Sequence, residues 1–154
     1  MRAKYIKIDG LGDKRYYSDK EMKILHREDG PAYEGYNSYK SWWKNGKRHR
    51  EDGPAVEWEV GLKEWYLNDK RHREDGPAIE WSDGTKQWWL NGKLHREDGP
   101  AIEYSNGIKH WYFNGIKYSE ETFKKKINQI KTININGREF TIEELNSLIA
   151  IAKK

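Results

Sequence analysis

Polar and apolar positions along this chain recur in a long cycle, not at a helical or simply alternating spacing. LHREDGPA begins at Leu25, RHREDGPA at Arg48 and again at Arg71, and LHREDGPA at Leu94, a period of 23 residues at every step. One full unit, residues 72–94, reads HREDGPAIEWSDGTKQWWLNGKL: a charged loop, a β-favouring run, Asp83-Gly84, a second run, then Asn91-Gly92. Asp-Gly and Asn-Gly between β-formers predict hairpins, because both central residues of a type I′ turn need positive φ. A two-residue turn at Asp83-Gly84 places Trp81 opposite Lys86 and Ile79 opposite Trp88, with Leu90 on the same face. Ala78, Glu80, Gln87 and Trp89 then share the other face.

Aligned by the period, Trp42, Trp65, Trp88 and Trp111 form one file, Trp43, Tyr66, Trp89 and Tyr112 the next, and Gly35, Trp58, Trp81 and Tyr104 a third. A hairpin this small cannot bury its own face, so the units must stack, as in solenoids and extended repeat sheets. The predicted class is mainly β: an elongated antiparallel sheet of repeated hairpins with a small α/β cap. Residues 1–25 read as an irregular first hairpin, with Asp9-Gly10 in its turn and a longer loop at 18–23. Residues 26–117 hold the four repeats. In residues 118–154, Ser119 as N-cap with Phe123, Ile127 and Ile130 predicts a helix over 119–130. A hairpin follows at Asn136-Gly137. Thr141 and Glu144 fit a capping box before a second helix over 142–152. This helix–hairpin–helix segment is expected to cover the open sheet edge.

The chain has 154 residues, charged and hydrophobic residues make up 35% each, and the mean hydropathy is −1.16. Such a composition points to disorder until its 8 Trp, 10 Tyr and 3 Phe are counted, so the aromatics must supply the core. The absence of cysteine excludes disulfides, zinc–thiolate sites and thiol nucleophiles, and favours a cytoplasmic location. No apolar run approaches the roughly 18 residues of a transmembrane segment.

The run WYLNDKRHREDGPAIEW at 65–81 and its siblings resemble the MORN repeat and its bacterial variants, over residues 16–117. The likeness departs at the loop, where Arg-Glu-Asp stands between His and Gly; units with HREDGPA are similar to those of phage and bacterial proteins. The resemblance implies a single-layer sheet of hairpins used for binding, with lipid head groups or proteins as partners and some relatives acting as antitoxin components. It implies no catalysis and no cofactor.

The His-x-Glu-Asp group carries metal-ligating and proton-transferring side chains. Four equivalent copies fit a charge-balanced structural turn better than one asymmetric active site, with a shallow binding edge as the next reading; no metal site is assigned. The Trp88 file reads as core. The Trp43, Tyr66, Trp89 and Tyr112 file, flanked by Glu57 and Glu80, reads as the surface for a partner protein. Charge bears on the alternative of a nucleic acid, nucleotide or lipid head group. Residues 26–113 hold 14 basic and 16 acidic groups, while 1–25 hold 7 and 4 and 114–154 hold 8 and 5. A polyanion along the array therefore meets no basic stripe. Anion capture would fall to Lys124, Lys125 and Lys126 with His49, His72 and His95. The reading that follows is a non-enzymatic, protein-binding chain, of the inhibitor or antitoxin type that the resemblance implies.

Overall fold

The computed structural model of the chain describes residues 3–152. It is mainly β, with a long antiparallel sheet of 11 strands in hairpins and two helices toward the C-terminal end. Strands β1 (Tyr5–Ile8) and β2 (Lys14–Tyr17) form the opening hairpin, whose loop is tied by the Asp9 carboxylate accepting from the Leu11 and Asp13 amides. The loop at 18–23 is closed in the same manner by Asp19, which accepts from the amides of Lys23 and Ile24.

Each repeat then supplies a pair of ladder strands and a smaller hairpin beside them. The first contributes β3 (Tyr33–Glu34), β4 (Lys40–Ser41), β5 (Trp43–Lys44) and β6 (Lys47–Arg48). The second contributes β7 (Val56–Glu57), β8 (Lys63–Glu64), β9 (Tyr66–Leu67) and β10 (Lys70–Arg71). The third contributes β11 (Ile79–Glu80), β12 (Lys86–Gln87), β13 (Trp89–Leu90) and β14 (Lys93–Leu94). The fourth has β15 (Ile102–Glu103), an unbroken β16 (Lys109–Phe113) and β17 (Ile116–Tyr118). The ladder runs β1-β2-β3-β4-β7-β8-β11-β12-β15-β16-β17, and β5-β6, β9-β10 and β13-β14 pair separately. Equivalent residues stack in register. The small hairpins turn through Asn45-Gly46, Asn68-Asp69, Asn91-Gly92 and Asn114-Gly115, with positive φ at all eight positions.

The ladder hairpins turn differently from the expectation. Trp81 N donates to Thr85 O and Gly84 N to Trp81 O, so residues 82–84 form a three-residue loop with Gly84 at φ 90°. The register shifts by one: Ile79 faces Gln87 and Glu80 faces Lys86. The face assignment made from a two-residue turn is thereby corrected. One face carries Lys14, Glu34, Lys40, Glu57, Lys63, Glu80, Lys86, Glu103 and Lys109 in successive cross-strand pairs, an alternating charge ladder across the whole array. The other carries Tyr33, Ser41, Val56, Glu64, Ile79, Gln87, Ile102 and His110.

Four alanines line the base of the core. Ala32, Ala55, Ala78 and Ala101 are fully buried, joined by Val56, Ile79, Ile102 and Tyr66, whereas Trp42, Trp65, Trp88 and Trp111 are half-buried. The core is thus a thin strip along the array, and the Trp88 file lines its border.

At the C-terminal end, helix α1 (Glu120–Lys131) is capped by Ser119 Oγ accepting from Thr122 N and buries Phe123 and Ile127 against the last ladder strands. Strands β18 (Thr132–Ile135) and β19 (Arg138–Thr141) follow, then α2 (Ile142–Ala152). Its capping box is formed: Thr141 N donates to Glu144 Oε2 and Glu144 N to Thr141 Oγ1. Helix α2 packs chiefly on β19 and leaves Ile142, Leu148, Ile149 and Ile151 exposed, so α1 provides the cover expected of the whole segment. No helix of the described residues is long and apolar enough to cross a membrane.

Candidate functional site: a row of tryptophan-floored grooves

The HREDGP loop is organised around its arginine. Arg73 donates from Nε to Asp75 Oδ1 at 2.9 Å and from Nη1 to the Pro77 carbonyl and Glu80 Oε1, at 3.2 and 2.9 Å. Its guanidinium lies 4.1 Å from the Trp65 ring. Arg27, Arg50 and Arg96 repeat the arrangement on Tyr16, Trp42 and Trp88 at 4.0, 4.1 and 3.9 Å. The planar fork of arginine satisfies three acceptors while stacking on an aromatic face, which a lysine ammonium cannot do. These bonds from Arg50, Arg73 and Arg96 hold the Asp52, Asp75 and Asp98 carboxyls below their ordinary range.

The histidine that opens each unit staples its loop to the small hairpin that ends the same unit. Nδ1 of His26, His72 and His95 accepts the amide of Asn45, Asn91 and Asn114 at 3.0, 3.2 and 3.2 Å. His49 Nδ1 lies 3.0 Å from the Asn68 side chain. The second turn residue reinforces the staple, as where Gly92 N donates to Arg71 O at 2.8 Å. On the outer side, Nε2 of His49, His72 and His95 faces Glu51, Glu74 and Glu97 at 3.1, 3.6 and 3.6 Å. Each imidazole therefore has a peptide turn on one side and a carboxylate on the other, a poor environment for an anion. Hydrogen bonding from His49, with Lys44 nearby, also lowers the Glu51 pKa.

Successive loops leave open grooves between them. One, of about 720 Å³, is floored by Trp65 and Leu67 and walled by the loops at 50–54 and 72–75. The next, of about 670 Å³, has Trp88 and Leu90 as its floor. A third, of about 520 Å³, has Trp42 and Lys44. The carboxylates along the rims reach into solvent: the side chains of Asp52 and Asp75 are 84% exposed and that of Glu74 82%.

The residues expected to form the partner surface separate. Trp43, Tyr66 and Trp89 donate to Ser41, Glu64 and Gln87, two residues earlier on the Val56 and Ile79 face. Tyr66 is 4% exposed and belongs to the core, with Arg48 stacked on it at 4.1 Å; burial and the Glu64 bond raise its phenol pKa. Tyr112 is half-buried. Glu57 and Glu80 occupy the opposite face, bonded to Arg50 and Arg73, so they do not flank that file. A flat exposed strip is thus not formed there. In its place, Arg48, Lys70 and Arg71 surround Trp89 in a shallow concavity of about 530 Å³. Lys124 and Lys125 are paired with Glu120 and Glu121 at 2.7 Å along α1, and Lys126 is half-buried.

Sequence reasoning missed the grooves because the register slip put Trp65 and Glu80 on the wrong faces. Among the described residues, no group of three or more His, Asp or Glu is arranged to hold a metal ion. No protein-family model, no curated protein and no solved structure matches this chain.

Proposed function

We propose that the chain is a non-catalytic binding protein that holds a partner protein along its repeat sheet. The observation that carries this reading is repetition: the same aromatic-floored, carboxylate-rimmed groove recurs three times along one side. A reaction needs one asymmetric constellation, whereas an extended partner gains from identical steps in a row. An inhibitor or antitoxin of phage or bacterial type, as the resemblance to MORN-variant proteins implies, would use such a strip to occupy its target.

A second reading, capture of a small anion such as a nucleotide or lipid head group, draws on the concavity of Arg48, Lys70, Arg71 and Trp89. That basic step is local, since the positions of Arg48 and Arg71 are held by Leu25 and Leu94 in the flanking units.

Crosslinked pull-down with the full chain separates the two readings, using a Leu67→Lys/Leu90→Lys variant as control. Lysine is compatible with the fold there because Lys44 occupies the equivalent place in the first repeat. A protein captured by the native chain and lost with the variant is the expected result. A copurifying nucleotide or lipid in native mass spectra, with no protein retained, overturns it.

A further inference from the structure

We infer that the segment recognised by the grooves is an extended, basic stretch of polypeptide with cationic side chains about three residues apart. The inference rests on the protein-binding reading and specifies the partner's chemistry.

Charge complementarity selects the sign. Each of the two larger grooves presents four carboxylates against two guanidinium groups, and each guanidinium is already shared between one rim aspartate and the ladder glutamate and proline carbonyl beneath it. What faces solvent is the outer edge of the acids, with Glu51 and Glu74 contacted among the described residues by His49 and His72, and Lys44 near Glu51. A phosphate backbone would be repelled. A lysine or arginine could lay its methylene stem on Trp65 and Leu67 and place its charged end among the rim carboxylates.

Spacing selects the conformation. Each repeat adds two strands to the ladder, so successive grooves recur about every 9.6 Å along the sheet. A polyproline helix advances about 3.1 Å per residue and returns to the same side every third residue, at about 9.3 Å, whereas a β-strand sends side chains three residues apart to opposite sides. An α-helix returns every seventh residue at about 10.5 Å, and a straight rod diverges from a row of sites that follows the sheet's twist.

Fluorescence anisotropy with the full chain tests this. The probe is a labelled peptide of about five Lys-Pro-Ser repeats, compared with a peptide of the same composition whose lysines are grouped at one end, and with a single-stranded oligonucleotide. The evenly spaced peptide is expected to bind at least about tenfold more tightly than the grouped one. A Glu51→Gln/Glu74→Gln/Glu97→Gln variant, which leaves the arginine forks intact, is expected to lose about tenfold, as is the Leu67→Lys/Leu90→Lys variant. Equal binding of the two peptides, tighter binding of the oligonucleotide, or no effect of the glutamine variant with its circular dichroism unchanged overturns the inference. The two failures differ in the pull-down: a partner lost with Leu67→Lys/Leu90→Lys but kept by the glutamine variant sinks the basic-segment inference alone, whereas a protein partner indifferent to both sinks the groove reading itself.

Discussion

Replacing Arg73 by methionine keeps an unbranched side chain over Trp65 while removing the charge and all the donors. The guanidinium–indole contact at 4.1 Å is worth about 0.5 to 1 kcal/mol in a partly exposed setting. A hydrogen bond to a charged group is worth about 1.5 to 3 kcal/mol when well buried. Here the Glu80 side chain remains 34% exposed, so roughly half of that survives solvent screening. The Pro77 carbonyl loses its donor as well. Together these give about 2 to 3 kcal/mol for Arg73→Met. Arg73→Lys, which restores charge without the fork, should recover less than half of the loss. Asp75→Asn should cost clearly less than Arg73→Met, because its carboxylate keeps one bond to the fork and otherwise stands in solvent. Urea unfolding followed by tryptophan fluorescence measures all three, and an unchanged m-value shows that the array still unfolds as one body. A loss below about 0.5 kcal/mol for Arg73→Met, or full rescue by lysine, would refute the view that the fork organises the loop.

Two further outcomes follow from the same contacts. Trp88→Ala, which removes a half-buried indole and the platform of Arg96, should cost about 3 kcal/mol, and His72→Ala about 1 kcal/mol, since the freed Asn91 amide can bond to water; paired urea titrations check the ranking, and equal losses would place the histidine staple on a par with the aromatic border. The depressed Asp52, Asp75 and Asp98 carboxyls mean that the unfolded chain binds more protons than the folded one in acid. Their contribution to stability should be fully present above about pH 5 and fade as pH falls below about 4 through the folded-state values, so an unfolding midpoint that rises on acidification would contradict the assignment.

The repeat, its hairpins and both helices were legible because their signals are local: a period of 23 residues, Asn in the first positive-φ position of every small turn, and caps at Ser119 and Thr141. The ladder register was misread at Asp83-Gly84, and the sequence holds the clue that corrects it. The second repeat has Val60-Gly61 there, and a β-branched residue is a poor occupant of the positive-φ site that a type I′ turn would require. In a three-residue loop Val60 keeps negative φ and only the glycine is left-handed, as Gly61 at 84° and Gly84 at 90° are. The burial of the four alanines was not legible, since nothing local distinguishes an alanine under a ladder from one in a loop. Asp69 marks the opposite case: it takes φ 64° where the other three repeats have glycine, and its carboxylate accepts from Arg48 N and Nε at 2.9 and 3.2 Å. An acid that bonds to its neighbour's backbone stabilises the left-handed turn locally.

The shape and charge of the candidate surface follow from how the loop solves its own folding problem. The thin core leaves the indoles of Trp42, Trp65 and Trp88 half-buried at its border, where arginines laid across them shield them. Each arginine must then be neutralised, from below by the ladder glutamate and from above by the loop aspartate. The lower partner is enclosed in the charge ladder with its lysines, while the upper one, with the glutamate beside it, projects outward. An acidic rim over an aromatic floor is therefore what remains on the surface wherever two such loops stand side by side. The period that stacks the units repeats that surface at a fixed step. A chain that needed only stability could have varied its outward glutamates, yet Glu51, Glu74 and Glu97 occupy the same place in three successive loops. The arginine forks do not require them, since among the described residues none of the three accepts from the fork of its own loop. A surface whose charge exceeds what its fold consumes is the part of the molecule where a partner's charge can be felt.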